Sequence, residues 1–149
     1  MAAYLSTELG GSANQTAAPV GYKPRAAVYH AKLKRLRASF TLATQTTSDT
    51  LVIGNLPAGA TFAYGVYNAS VTLGGTATLA IGITGTTGKY AAATAFTAAN
   101  APTLFGTVAT QGAADPALTA EEQVFATIAG ASLPASGTMV IDLYYSMPQ

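Results

Sequence analysis

The chain has 149 residues and a formal net charge of +1, with 9% charged side chains against about 25% in an ordinary soluble domain. That length suits one domain, or one domain with an arm, and argues against two folded domains. Absence of cysteine removes disulfide scaffolds, thiolate zinc sites and cysteine nucleophiles, and the small net charge removes the self-repulsion that keeps apolar-poor chains open, so a folded chain is expected.

Residues 1–30 read as an extended basic amino-terminal arm. They show no hydrophobic period, and the run GGSANQTAAP from Gly10 to Pro19 has linker composition. The mixed polar opening lacks the basic start and apolar stretch of a secretory signal, and no apolar run approaches the roughly 18 residues that cross a bilayer. A soluble protein made in the cytosol, with no membrane partner, is the expectation. The stretch RAAVYHAK could begin as a helical turn, because Ala, Lys and Arg favour helices.

Residues 31–149 read as an all-β domain. From Leu33 the chain alternates, with Leu36, Ala38, Phe40 and Leu42 on one face and Arg35, Arg37, Ser39 and Thr41 on the other. A polar turn precedes a short strand from Thr50 to Gly54. Leu56-Pro57-Ala58-Gly59 then has turn chemistry, with proline at the second position and a glycine that accepts positive φ. A strand from Ala60 to Leu73 puts Phe62, Tyr64 and Val66 on one face, and the later shift to Tyr67, Val71 and Leu73 implies a bulge near Asn68. Gly74-Gly75 between two apolar runs predicts a two-residue hairpin returning through Thr76 to Ile83.

Residues 84–123 are rich in Ala, Thr and Gly, with β-capable runs at 93–97 and 104–110 and a capping-box spacing at Thr119 and Glu122 that predicts one helical turn. Strand signal resumes from Val124 to Ile128. The final strand places Met139, Ile141, Leu143 and Tyr145 on one face, opposite Thr138, Val140, Asp142, Tyr144 and Ser146. VIGNLPAGATFAYGVY and IAGASLPASGTMVIDLYY echo each other as strand, Leu-Pro-Ala turn, glycine and strand. Either a doubled architecture or repeated use of one turn chemistry produces such an echo. Together these elements predict an antiparallel β-sandwich, jelly-roll-like, behind an extended amino-terminal arm.

Charge is unevenly placed. Seven charged residues fall in positions 1–37 and six in the 112 residues from Ala38 onward. A surface so poor in ions fits one covered by copies of itself, as a dimer or trimer, or by a partner; solvation by uncharged groups, including 22 threonines, also fits. Lys23, Arg25, Lys32, Lys34, Arg35 and Arg37 form a basic run interleaved with Tyr22 and Tyr29. It suits docking to an acidic protein surface, non-specific contact with nucleic acid, or an ordinary solvated strand face.

Candidate chemistry is sparse. His30 is the sole histidine, it lies among like charges at the edge of the arm, and no serine occupies a Gly-x-Ser-x-Gly elbow. Glu121 and Glu122 are adjacent and point apart on a helix or strand, which makes them poor joint ligands; a calcium ion shared between subunits near Asp115 and Glu121 is the remaining metal option. The stretch GITGTTGKY departs from a phosphate loop at Ile83, where glycine is needed, and at Tyr90, where Ser or Thr is needed. A glycine-rich turn explains it. No catalytic residue, cofactor or metal site is expected.

The stretches KRLRASFTLATQTTSDTLVIGNLPAGATF, ASVTLGGTATLAIGITGTTGKYAAATAFTAANAPTLFG and SLPASGTMVIDLYYS resemble small virion structural proteins of tailed bacteriophages, over most of residues 34–146. What is shared is strand and turn patterning. The resemblance implies a structural virion protein assembled in the host cytoplasm: a capsid decoration or cement protein docked on the major capsid protein, a head-fibre base or a connector component. An alternative is a carbohydrate-binding or host-adhesion module, for which Tyr64, Tyr67, Tyr90, Tyr144 and Tyr145 are the candidate aromatic platforms.

Overall fold

A computed structural model describes residues 32–106 and 117–147. Its strands are β1 (Lys32–Thr41), β2 (Thr50–Leu56), β3 (Thr61–Ala69), β4 (Thr78–Ile83), β5 (Thr86–Ala95), β6 (Thr103–Phe105), β7 (Glu122–Ala129) and β8 (Thr138–Met147). They form two four-stranded sheets, ordered β1-β8-β3-β6 and β2-β7-β4-β5, with every pairing antiparallel. Only β4 and β5 join as a hairpin; every other connection crosses from one sheet to the other. Eight strands wound between two sheets in this order make a jelly-roll sandwich.

Period-two alternation decides which side chains enter the space between the sheets. Met139, Ile141 and Leu143 of β8 are fully buried, and across the gap Val124, Ala126 and Ile128 of β7 meet them from the β2 sheet. Leu36, Ala38 and Phe40 of β1 pack inward against this core, as their alternation predicts. Large aliphatic residues are few, and aromatic rings fill the remainder. Phe62 lies 4.7 Å from Tyr90 and 6.5 Å from Phe105 at one end, while Tyr67 lies 3.7 Å from Phe96, measured between ring centroids. A ring of that size adds more buried area than any aliphatic side chain.

The echoing segments are structural counterparts. β2 and β3 flank the first Leu-Pro-Ala turn, β7 and β8 flank the second, and the two units pair with each other, β2 on β7 and β3 on β8. In both turns the leucine is buried, Leu56 and Leu133. Backbone bonds from Leu42 to Gly137, from Thr44 to Pro134 and from Leu133 to Gln45 tie the β1–β2 loop to the second turn.

Several local expectations are corrected. Gly74-Gly75 is not a hairpin turn, since β3 lies in one sheet and β4 in the other; burying both sheets requires this connection to cross. The register of β3 shifts between Phe62 and Tyr64, not near Asn68, so Phe62 points inward while Tyr64 and Val66 face outward. The glycine-rich turn after β4, by contrast, is as expected: a tight hairpin in which Ile83 pairs with Thr86 and Gly85 takes φ 83°. Residues 117–121 form no helical turn, and Glu122 opens β7. The arm, His30, the RAAVYHAK stretch apart from Lys32, and Asp115 lie outside the described residues.

Candidate interaction surface

Register sets the outward side chains of the β1 sheet in rows. Arg35 faces Tyr144, and Tyr144 faces Tyr64. Extending the β3–β6 register by one step brings Gly106 beside Tyr64. The neighbouring row is Arg37, Asp142, Val66 and Leu104. A third holds Ser39, Val140 and Asn68. With strands about 4.8 Å apart, the first two rows span about 14 Å across the sheet and the third about 10 Å.

The second row carries a buried charge. Arg37 Nε and Nη2 donate to Asp142 Oδ1 and Oδ2, each at 2.7 Å, and Asp142 is 5% exposed while the Arg37 side chain is half exposed. The hydrogen bonds from Arg37 hold the Asp142 carboxyl below the usual carboxylate range, against the opposing effect of burial. Beside the pair is a hollow of about 300 Å³ that Val66, Asn68, Pro102 and Val140 complete. Asn68 Oδ1 is buried there without a hydrogen-bond partner.

The first row is aromatic at its centre. Tyr64 and Tyr144 stack with ring centroids 4.7 Å apart and planes 21° from parallel. Glycine at position 106 puts no side chain next to Tyr64, and its φ of 144° is one that other residues seldom adopt. A cleft of about 460 Å³ opens there, lined by Tyr64, Leu104, Phe105 and Gly106. Leu104 at 71% exposure and Leu33 at 52% lie on this outward face, so it displays more apolar surface than strand patterning alone requires.

Four of the six basic candidates, Lys32, Lys34, Arg35 and Arg37, fall on β1, an edge strand of its sheet. Lys23 and Arg25 lie outside the described residues. Among the described residues only Arg37 of the four forms a salt bridge, with Asp142, and Arg35 acts on the same carboxylate through its charge. The Lys34 ammonium instead meets the Met147 thioether at 3.8 Å. Cations on an edge also discourage pairing with another sheet.

Other carboxylates are engaged elsewhere. Glu122 accepts from Lys89 Nζ at 2.6 Å and from the Tyr90 hydroxyl at 2.7 Å, while Glu121 accepts from Asn55 at 2.7 Å. Asp49 accepts from the Thr46 backbone N–H at 2.7 Å. The two adjacent glutamates thus turn to different partners. Among the described residues no group of three or more His, Cys, Asp or Glu is placed to hold a metal.

Of the five tyrosines singled out, Tyr67 and Tyr90 are core residues and Tyr145 packs against the core. Tyr64 and Tyr144 remain on the outward face. Sequence reading missed the Arg37–Asp142 pair and the Phe105–Gly106 cleft. A usable signal did exist for the pair: an aspartate within the apolar run Met139 to Tyr145 needs a cation on a neighbouring strand, and β1 is the strand rich in them.

No model of a protein family matches the sequence, and no curated protein matches it. Solved structures superpose on this fold, among them two from phage capsids. A chain in the capsid of Ralstonia phage GP4 superposes with a TM-score of 0.62 at 20% identity, covering 87% of this chain and 94% of that one. A chain in the capsid asymmetric unit of cyanophage Pam1 superposes with a TM-score of 0.55 at 21% identity, covering 92% and 96%.

Proposed function

We propose that this protein is a structural component of a tailed-phage virion, a decoration or cement protein that docks on the major capsid protein and stabilises the head without catalysis. The observation that carries the reading is the fold match to chains of two phage capsid structures over nearly their whole lengths, 94% and 96%. The described surface has the character of one built for protein contact: few ions, two exposed leucines on one sheet face and a basic edge. Lys23, Arg25, Lys32, Lys34, Arg35 and Arg37 supply the positive side of that contact, and an acidic patch on the shell is the complementary surface.

Self-association into dimers or trimers belongs to the same reading. The outward face of the β2 sheet carries Val52, 51% exposed, opposite Phe125, and no charged residue is paired into the central rows there. The deciding experiment adds purified protein to heads that lack it. Saturable co-sedimentation with added density on the shell is the expected result, and no binding at any salt concentration would sink the proposal. Equal binding to bare DNA and to heads would reassign the basic run to nucleic acid.

One observation favours a carbohydrate-binding or adhesion role as a second reading: the stacked Tyr64–Tyr144 pair borders an open cleft on the outward face. Glycan-array binding that disappears in Tyr64→Ala would promote it.

A further inference from the structure

One side of β1 pairs with β8, and the other side pairs with no strand among the described residues. The pairing with β8 keeps register from Lys32 to Thr41 without a bulge. Just beyond it the Leu42 N–H donates to the Gly137 carbonyl at 2.9 Å, so by alternation Phe40, Ala38, Leu36 and Lys34 also turn their backbone groups toward β8. The N–H and C=O groups of Leu33, Arg35, Arg37 and Ser39 therefore point away from the sheet. At Thr41 the edge closes, because Gln45 Nε2 donates to the Thr41 carbonyl at 2.9 Å. What remains, from Leu33 to Ser39, is an unbroken edge about 20 Å long.

The other edges lack this regularity. β2 and β5 are interrupted by register shifts and β6 is three residues long, which are the usual ways of blunting an edge. β1 carries cations instead. Lys32, Lys34 and Arg35 are exposed and form no salt bridge among the described residues, although Arg35 acts on Asp142 through its charge, and half of the Arg37 side chain is exposed beside Asp142. Two copies joined edge to edge about Leu36 would set Arg35 against the partner's Arg37, and like charges directly opposite destabilise a pair of strands. A strand bearing carboxylates would meet attraction in the same place.

We propose that the outer edge of β1 accepts an extended acidic segment of another protein as an added antiparallel strand, bonded through its main chain to Leu33, Arg35, Arg37 and Ser39. The residues opposite Arg37 and Arg35, two apart in the incoming strand, are Asp or Glu. The residue opposite Leu33, two further on, is apolar, since Leu33 is 52% exposed. Lys34 projects to the other side and takes a third carboxylate from the position between the last two. Main-chain bonds supply affinity and the alternating side chains supply selectivity. The proposal rests on the docking role above and gives that contact its form.

The test uses the full-length protein and the synthetic peptide Ser-Thr-Glu-Thr-Glu-Glu-Val-Thr. Heads play no part in it, so it can fail while head binding stands, and the reverse. Binding is expected to slow hydrogen exchange at the Leu33, Arg35, Arg37 and Ser39 amides by about tenfold or more, while those of Lys34, Leu36, Ala38 and Phe40, already bonded to β8, change little. N-methylating the peptide amides that face β1 should weaken binding about tenfold with the charge unchanged. Ser39→Pro removes one outward N–H, leaves the β8 ladder whole, and should weaken binding similarly with little change in melting temperature. Absence of binding, protection without alternation, or equal binding by the N-methylated peptide would overturn the proposal. So would protection of the outward amides in the free protein, which would show the edge taken by the chain itself or, if it grows with concentration, by a second copy. Tighter binding of single-stranded DNA than of the peptide would assign the cations to nucleic acid and overturn it as well.

Discussion

Arg37 and Asp142 stand directly opposite each other in the β1–β8 register, 105 positions apart in the chain, and the guanidinium meets both carboxylate oxygens at 2.7 Å. Asp142 is the one buried charged residue among those described. A carboxylate moved out of water this way requires its partner, so the pair fixes β1 against β8 at one register. A slip of one residue would face Asp142 with Leu36 or Ala38.

Acid should weaken the fold through this pair. The Asp142 carboxyl titrates lower in the folded protein than in the unfolded chain, where carboxylates titrate near about 3.9. Its contribution is therefore complete above that unfolded value and drains away as pH falls through the folded one. Asp142→Asn should lower the melting temperature at neutral pH, and the gap to the parent should narrow below about pH 4. Thermal melts from pH 2 to 7 check this, and parallel curves would contradict it.

Alkali should act on two core tyrosines. Burial pushes the Tyr67 hydroxyl well above its ordinary range, and burial together with the hydrogen bond to Glu122 does the same for Tyr90. Both hold their protons more tightly when folded, so stability is intact below the unfolded value of about 10 and falls as pH rises beyond it. Ultraviolet titration of the eight tyrosines should show at least two that ionise only with the unfolding transition. Ionisation of all eight before the fold is lost would refute the prediction.

Gly65 and Phe105 should behave as a coupled pair. A Cβ on Gly65 would come within 2.0 Å of the Phe105 ring, so Gly65→Ala must displace β6 or strain β3, at a cost of about 1–3 kcal/mol. Urea denaturation should show a smaller penalty for Gly65→Ala when Phe105→Ala is already present. Strict additivity of the two changes would mean that the ring does not occupy this position.

On the proposed docking role, substitutions on the basic edge should separate stability from docking. Lys32, Lys34 and Arg35 are exposed and make no ion pair among the described residues. Changing all three to glutamate should shift the urea midpoint little, each exposed change lying within about 0.5 kcal/mol, while binding to undecorated heads is lost. Retained binding in a folded triple variant would move the docking contact away from β1.

Much of the strand pattern is legible in the sequence. The inward and outward faces of β1 and β8 were correctly read from alternation, and the two Leu-Pro-Ala turns were correctly placed, because both signals come from neighbouring residues. The hairpin at Gly74-Gly75 was misread for a related reason: two glycines between apolar runs favour a tight turn locally, but they do not say which sheet the next strand joins. The bulge in β3 was misplaced because either position explains the late shift in large residues, and only pairing with β8 decides between them.

What the sequence determined by itself was an all-β chain, low in charge, with a basic strand and a repeated turn. Tertiary structure decided that β3 and β4 belong to different sheets, that Arg37 neutralises Asp142, and that Gly65 accepts the Phe105 ring while Gly106 leaves a cleft beside Tyr64. The physical reason is range. Alternation and turn chemistry are written in backbone geometry over a few residues, whereas partners such as Arg37 and Asp142, 105 positions apart, are chosen by the joint burial of two sheets.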